Sequence, residues 1–162
     1  GWPFLILVTL GTQKFQMNRL IEAVDKIAPT LDEEVFIQTG NSTYIPKNCK
    51  YSSFVEKEKF QNMIAECSLL ITHSGVGSIM TGVKLNKPVI VVPRLSRFKE
   101  HVDDHQLQIA EAFEEKKIVL ACKNVDELAE YIRSAAEYEF ERYTAPKGRI
   151  EDIILDFIES NV

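Results

Sequence analysis

The stretch THSGVGSIMTGVKLNKPVIVVP, residues 72–93, carries residue types able to do chemistry. An apolar run breaks at Gly75 and Gly77, and a helical pattern follows with Val76, Ile79, Met80 and Val83 on one face. Glycines at a strand-to-helix junction let a ligand approach the backbone without a side chain in the way. The unpaired amides of the first helical turn, from Gly75 to Ser78, and the helix dipole favour an anion there. The hydroxyls of Ser74 and Ser78 are further donors. The same pattern also fits a junction that is merely tight, and spacing alone leaves both readings open. The full dinucleotide fingerprint is absent, because position 80 is Met80 rather than glycine and no acidic residue closes the following strand. No Gly-Lys-Ser/Thr occurs, which excludes a P-loop.

Gly11, Thr12 and Gln13, after the first apolar run, form a second donor cluster expected at the same edge of the fold. Two such loops facing one crevice would hold both phosphates of a diphosphate. Thr12 as a simple helix cap is the competing reading. A third motif is EHVDDHQ, residues 100–106, in which Asp103 and Gln106 have capping-box spacing. Asp103, Asp104 and His105 are metal-ligand types, but adjacent helical positions point apart, so no metal is expected. His101 and His105 are either general bases or plain surface histidines. Arg94, Arg97 and Lys99 make the preceding loop cationic, suited to phosphates or simply to solvent.

These motifs sit between regular elements. PFLILV, EVFIQTG, YSSFV, SLLITH, PVIVVP and KIVLA read as six strands, with YSSFV the weakest. Helices are expected at NRLIEAVDKIA, with Leu20, Val24 and Ile27 on one stripe, and at EKEKFQNMIAEC, with Phe60, Met63, Ile64 and Cys67 inward. Further helices are expected after the glycine junction and at DDHQLQIAEAFEEK. Another follows the Asn124–Glu127 capping box, and the last is RIEDIILDFIESNV. Strands alternating with helices predict an α/β fold with a doubly wound parallel sheet. Ligands in such folds sit beyond the carboxyl ends of the strands, so the loops after strands are where function is expected.

Composition narrows the function classes. The chain of 162 residues suits one domain, and 45% hydrophobic with 27% charged residues is a globular profile. A net charge of -5 argues against a general nucleic-acid binder. Cys49, Cys67 and Cys122 fit neither a disulfide framework nor a zinc site, which suggests a reducing cytosol. The run FLILV is too short to span a bilayer and no leader pattern is visible, so membrane association is expected to come through a partner or a surface.

FLILVTLGTQ, ITHSGVGSIMTGVKLNKPVIVVP and DDHQLQIAEAF together resemble the C-terminal domain of glycosyltransferase family 28, in order and over nearly the whole chain. EHVDDHQ is the most specific part. The likeness extends to small bacterial capsular and exopolysaccharide glycosyltransferase subunits. It also extends to the catalytic small subunit of the two-part eukaryotic UDP-N-acetylglucosamine transferase of the dolichol pathway. The resemblance implies a Rossmann-like doubly wound sheet that is the donor-binding half of a GT-B glycosyltransferase. It places Gly11 and Thr12 in the first phosphate loop, and Gly75, Val76, Gly77 and Ser78 under the diphosphate. Phe54 and Val55 fall where backbone meets uracil, and Thr81 stands where several members carry a ribose-holding glutamate, which puts ribose contact there in doubt. Asp104, His105 and Gln106 fall where sugar hydroxyls are read.

The reaction so implied moves a sugar from a UDP-sugar to a polyprenyl-diphosphate-linked saccharide. Galactose is the first expectation for the sugar, with glucuronic acid and N-acetylglucosamine open. No cofactor beyond the donor is implied. The helix dipole stands in part for a divalent metal. A membrane-anchored acceptor-binding subunit completes the enzyme, carries the base and recruits this cytoplasmic chain to the inner face of the membrane. One UDP-sugar-binding domain is expected over 1–162, with a terminal helix at about 147–160 docking the partner. The alternatives are a non-catalytic UDP-sugar-binding or activating subunit and a nucleotide-binding regulator.

Overall fold

The computed structural model describes residues 5–142. The expected terminal helix at about 147–160 lies outside them. Six strands, β1 (Leu5–Thr9), β2 (Glu34–Gln38), β3 (Lys50–Ser52), β4 (Leu69–His73), β5 (Val89–Val92) and β6 (Leu120–Ala121), form one sheet in the order β3-β2-β1-β4-β5-β6. Every pairing is parallel. The helices between them are α1 (Asn18–Ile27), α2 (Lys57–Glu66), α3 (Val76–Lys84) and α4 (His105–Glu115), with α5 (Leu128–Ala135) after β6. This is the Rossmann-like doubly wound arrangement expected from the sequence. No helix among the described residues is long and apolar enough to cross a membrane.

Side chains alternate across a strand, so each central strand feeds two cores. Ile6, Val8, Ile37, Ile71 and Ile90 face one way and meet Leu20, Ile21 and Val24 of α1 and Leu128 of α5. Leu7, Leu70, Val89 and Val91 face the other way and meet Ile64 of α2, Ile79 and Val83 of α3, and Phe113 of α4. Burial on both faces is why these strands read as unbroken apolar runs.

Two strands differ from expectation. Of YSSFV only Tyr51 and Ser52 enter the ladder, with Lys50 before them, and β3 is an edge strand with one neighbour. KIVLA contributes only Leu120 and Ala121 to the ladder. Lys117 is left-handed (φ 61) after α4, and Ile118 and Val119 are buried before the pairing begins. The capping box at Asn124 forms by half. Its Oδ1 accepts from Asp126 N–H at 3.0 Å, and a 3-10 turn, Val125–Glu127, precedes α5.

The long connection between β2 and β3 is fastened to α1 by a buried carboxylate. Asp25 is 3% exposed, and its oxygens accept from the N–H groups of Lys47 and Asn48 at 2.7–3.0 Å and from Tyr44 Oη at 3.3 Å. Asn18 Oδ1 accepts from Thr43 N–H and Tyr44 N–H in the same connection. A buried donor left without its acceptor costs about 1–3 kcal/mol. Asp25→Ala removes the acceptor of these two N–H groups, which belong to exposed residues, so it should lower unfolding stability by about 1–3 kcal/mol in urea titration. A loss below about 1 kcal/mol would show that the connection is held by other contacts.

Candidate functional site at the β1/β4 switch point

β1 and β4 are hydrogen-bonded neighbours, with Ile6 opposite Leu69 and Thr9 opposite Thr72. The chain leaves them in opposite directions, β1 toward β2 and β4 toward β5, and this divergence opens a crevice at their carboxyl ends. LGTQ and SGVGS therefore flank one cleft of about 290 Å³. Thr9, Gly11, Thr12 and Gln13 line it from the β1 side, and His73, Gly75, Gly77 and Ser78 from the β4 side. Gln38 lines it from β2, and Phe54, Val55 and Phe60 close its far end. No carboxylate is among these lining residues.

The glycines serve different ends. Gly11 has φ +73, and a Cβ there would lie 2.4 Å from His73 Nε2. A Cβ on Gly75 would lie 2.6 Å from Cε1 and Nε2 of the same ring. Both glycines are thus required by the protein itself, because the imidazole fills the space between the two turns. A Cβ on Gly77 would meet nothing within 4 Å, and its φ is not positive. Neither packing nor backbone conformation calls for glycine there, and the backbone beside it is left open.

The donors follow from the same loops. Ile79 N–H is bonded to Gly75 O at 3.0 Å, and the amides of Val76, Gly77 and Ser78 before it lie in the first turn, without helical partners. Gly75 at the N-cap supplies no side chain, so the helix end is open to an anion. On the β1 side the Gly11 N–H is engaged, donating to Gln38 Oε1 at 3.0 Å. Gln38 holds that turn fully: Oε1 also accepts from Thr9 Oγ1 (2.6 Å) and Leu10 N–H (3.2 Å), and Nε2 donates to Gly11 O and Ser53 O. Gly11 accordingly gives the cleft closeness, and the amide of Thr12 next to it has no hydrogen-bond partner among the described residues.

Phe54 is 51% exposed beside Val55 at the cleft end, in reach of a planar base. Thr81 does not line the cleft, and its hydroxyl donates back to Gly77 O at 2.9 Å. Asp104 and His105 also stand outside the lining. Asp104 accepts from Ser96 N–H at 2.8 Å, which holds its carboxyl below the usual value, and His105 Nε2 is 3.6 Å from Asp103 Oδ2. The expected Asp103–Gln106 capping box does not form. Asp103 Oδ1 accepts from His105 N–H, and Asp104 occupies the N-cap position. Gln106 is 4% exposed beneath the cleft: its Oε1 accepts from Ser74 N–H (3.1 Å) and Arg94 N–H (3.0 Å), and its Nε2 lies 3.2 Å from His73 Nδ1.

Three participants escaped the sequence reading. His73 forms the cleft floor, and burial, with the nearby Arg94 charge, pushes its imidazole down to about 3. Gln38 was read only as part of a strand end. The cationic loop that begins at Arg94 suits solvent or phosphates by its composition, but Arg94 itself is 1% exposed. Its guanidinium donates to the carbonyls of Leu10, Phe15, Gln16 and Glu100 and to His73 Nδ1. The available signal was a polar residue ending each of two apolar strands, FIQ and ITH.

Residues 5–156 match the Glycosyltransferase family 28 C-terminal domain. The chain belongs to this family. The UDP-N-acetylglucosamine transferase subunit ALG13 of Saccharomyces cerevisiae is 40% identical over 74 residues, covering 45% of this chain and 35% of the relative. The UDP-N-acetylglucosamine–N-acetylmuramyl-(pentapeptide) pyrophosphoryl-undecaprenol N-acetylglucosamine transferase of Prochlorococcus marinus is 28% identical over 110 residues, 65% of this chain and 30% of that enzyme. The chain thus spans about a third of the length of these relatives. Among solved structures, the glycotransferase of kitacinnamycin shares the fold, with a TM-score of 0.65 at 20% identity over 84% of this chain and 35% of that one.

In this family 28 domain the open space at Gly77 separates folding from binding. Gly77→Ala should leave the melting temperature unchanged or raise it, since alanine favours a helix over glycine by about 1 kcal/mol. The same change should weaken UDP binding in calorimetry, because the new methyl stands over the free amides. An unchanged affinity would show that no ligand approaches Gly77.

Proposed function

We propose that this domain is the donor-binding part of a glycosyltransferase that takes its sugar from a UDP-sugar. The single observation carrying this reading is the convergence of the two junctions on one cleft, with Gly77 left open. The amides of Thr12, Val76, Gly77 and Ser78, with the Ser78 hydroxyl, hold the diphosphate. Uracil lies against Phe54 and the Val55 backbone, and the ribose extends toward the α3 face that carries Thr81. The sugar points toward the start of α4, where Asp104 and His105 stand. As the bond to the sugar breaks, negative charge grows on the UDP leaving group, and preoriented amides at a helix N-terminus stabilise it. The helix dipole takes part of the role that a divalent cation has elsewhere, so transfer proceeds without added metal.

The acceptor proposed is a polyprenyl-diphosphate-linked saccharide in capsular or exopolysaccharide synthesis, and the name of the Prochlorococcus relative, a pyrophosphoryl-undecaprenol transferase, supports that class. The word subunit in the yeast relative's name supports a two-chain enzyme. A membrane-anchored partner brings the acceptor and the base and holds this cytoplasmic chain at the inner face of the membrane. The absence of a carboxylate from the cleft lining agrees with a base on the other chain. The sugar is galactose on the capsular resemblance, whereas the relatives' names point to N-acetylglucosamine.

Calorimetric titration of the full chain with UDP, UDP-galactose and UDP-N-acetylglucosamine, with and without EDTA, tests this reading. UDP should bind equally well with and without EDTA, and at 100 times its Kd it should stabilise the fold by about 2.7 kcal/mol. UDP-galactose should bind more tightly than UDP-N-acetylglucosamine, and the reverse order would reassign the sugar. A chain that binds none of the three is not a donor domain.

A further inference from the structure

Gln106 has a geometry that does not fit a residue reading sugar hydroxyls. It is 4% exposed, and its amide is engaged on both sides. Two backbone N–H groups, from Ser74 at 3.1 Å and Arg94 at 3.0 Å, point at one side-chain atom, so that atom must be the oxygen. The amide nitrogen then necessarily faces His73 Nδ1, at 3.2 Å. Arg94 Nε is 3.3 Å from the same ring nitrogen. An amide NH₂ and a guanidinium N–H are donors only. Two donors converging on Nδ1 leave it one role, that of acceptor, and the single proton of the neutral ring must sit on Nε2. Nε2 lies between the Gly11 and Gly75 turns, as its closeness to the Cβ positions of both shows, and it has no hydrogen-bond partner among the described residues.

We propose that Gln106 is a positioning residue acting through His73: with Arg94 it fixes the imidazole in the Nε2–H tautomer, so that a neutral N–H donor faces the diphosphate between the two glycine turns. This rests on the donor-site reading and changes the part Gln106 has in it. The depressed ionisation of His73 agrees, since a proton on Nδ1 would point at two donors. The titratable groups facing His73 are Arg94 and, further along the same loop, His101; Glu100 acts on Arg94. A tautomer held in this way is the same across the neutral pH range, and the donor stays available there.

The test is made on the full chain in two steps. Long-range ¹H–¹⁵N correlation of the histidine rings, without ligand, should show His73 with bare Nδ1 and protonated Nε2, unchanged from pH 5.5 to 8. A proton on Nδ1, or an ordinary titration near 6.5, overturns the proposal. The second step compares UDP affinity in wild type and Gln106→Glu. The new carboxylate keeps an acceptor for Ser74 and Arg94 but turns a second acceptor toward Nδ1. That stabilises a protonated ring at low pH, and at higher pH the remaining proton stays on Nδ1, leaving a lone pair toward the phosphates. The ratio of variant to wild-type Kd should therefore rise with pH, reaching about tenfold, the effect of one charged hydrogen bond. Using the ratio cancels the titration of UDP itself. A ratio of one at every pH, with loss of affinity only for the intact UDP-sugar, marks a sugar reader and overturns the proposal. Should the variant fail to fold, the wild-type ring spectrum alone decides. A wild-type chain that binds no UDP refutes the donor reading separately, because the tautomer is read without ligand.

Discussion

The buried Arg94 guanidinium is the interaction on which the rest of the site depends. A charge taken out of water is costly unless its hydrogen bonds are satisfied. Here they are met by carbonyls of Leu10, Phe15 and Gln16 in the β1–α1 connection, by Glu100 O in its own loop, and by His73 at the end of β4. The Glu100 carboxylate, itself buried, accepts from Leu95 N–H and is paired with Arg19 of α1 at 2.9 Å. Three loops at the carboxyl edge are thus tied to one side chain. Neither can the β1 turn shift without stranding a guanidinium N–H, nor can the β5–α4 loop. A lysine offers one point charge and cannot reproduce this fork.

That tie explains why the cleft is preformed. A site built for a charged diphosphate gains most when its donors need no rearrangement on binding. Gln38 fixes the first turn by filling all its near acceptors and donors, and Gln106 fixes the second through Ser74 N–H. His73 fills the gap between them closely enough to require glycine at positions 11 and 75. What is left unfilled is the backbone around Gly77 and Thr12, the space that the proposed donor would use.

The fold was legible in the sequence because a strand buried on both faces is written as a continuous apolar run, as β1, β4 and β5 are and the exposed edge strand β3 is not. Their alternation with helices determined the parallel doubly wound sheet. The cleft followed from topology, since loops after strands converge at a switch point and both glycine junctions are such loops. The supporting residues were not legible, for a physical reason. His73, Gln38 and Arg94 are polar groups whose roles depend on partners up to 84 residues away, and no local spacing encodes these. A cationic loop is usually solvated, so RLSRFK gave no hint that its first arginine turns inward. At EHVDDHQ local spacing pointed to a capping box, but the Gln106 amide is turned to Ser74 N–H, Arg94 N–H and His73 instead, and Asp104 holds the N-cap position. The ends of β3 and β6 are not legible because edge pairing, unlike burial, leaves little trace in composition.

The proposed function rests on one physical claim, that backbone amides at two neighbouring strand ends share one diphosphate. Mapping backbone amide chemical shifts of the ¹⁵N-labelled chain during titration with UDP measures this claim most directly. The expected result is that Thr12, Val76, Gly77 and Ser78 move most and saturate together, with Gly11 following as part of the turn held by Gln38. Shifts confined to one of the two junctions, or saturable shifts elsewhere that leave both untouched, would contradict it.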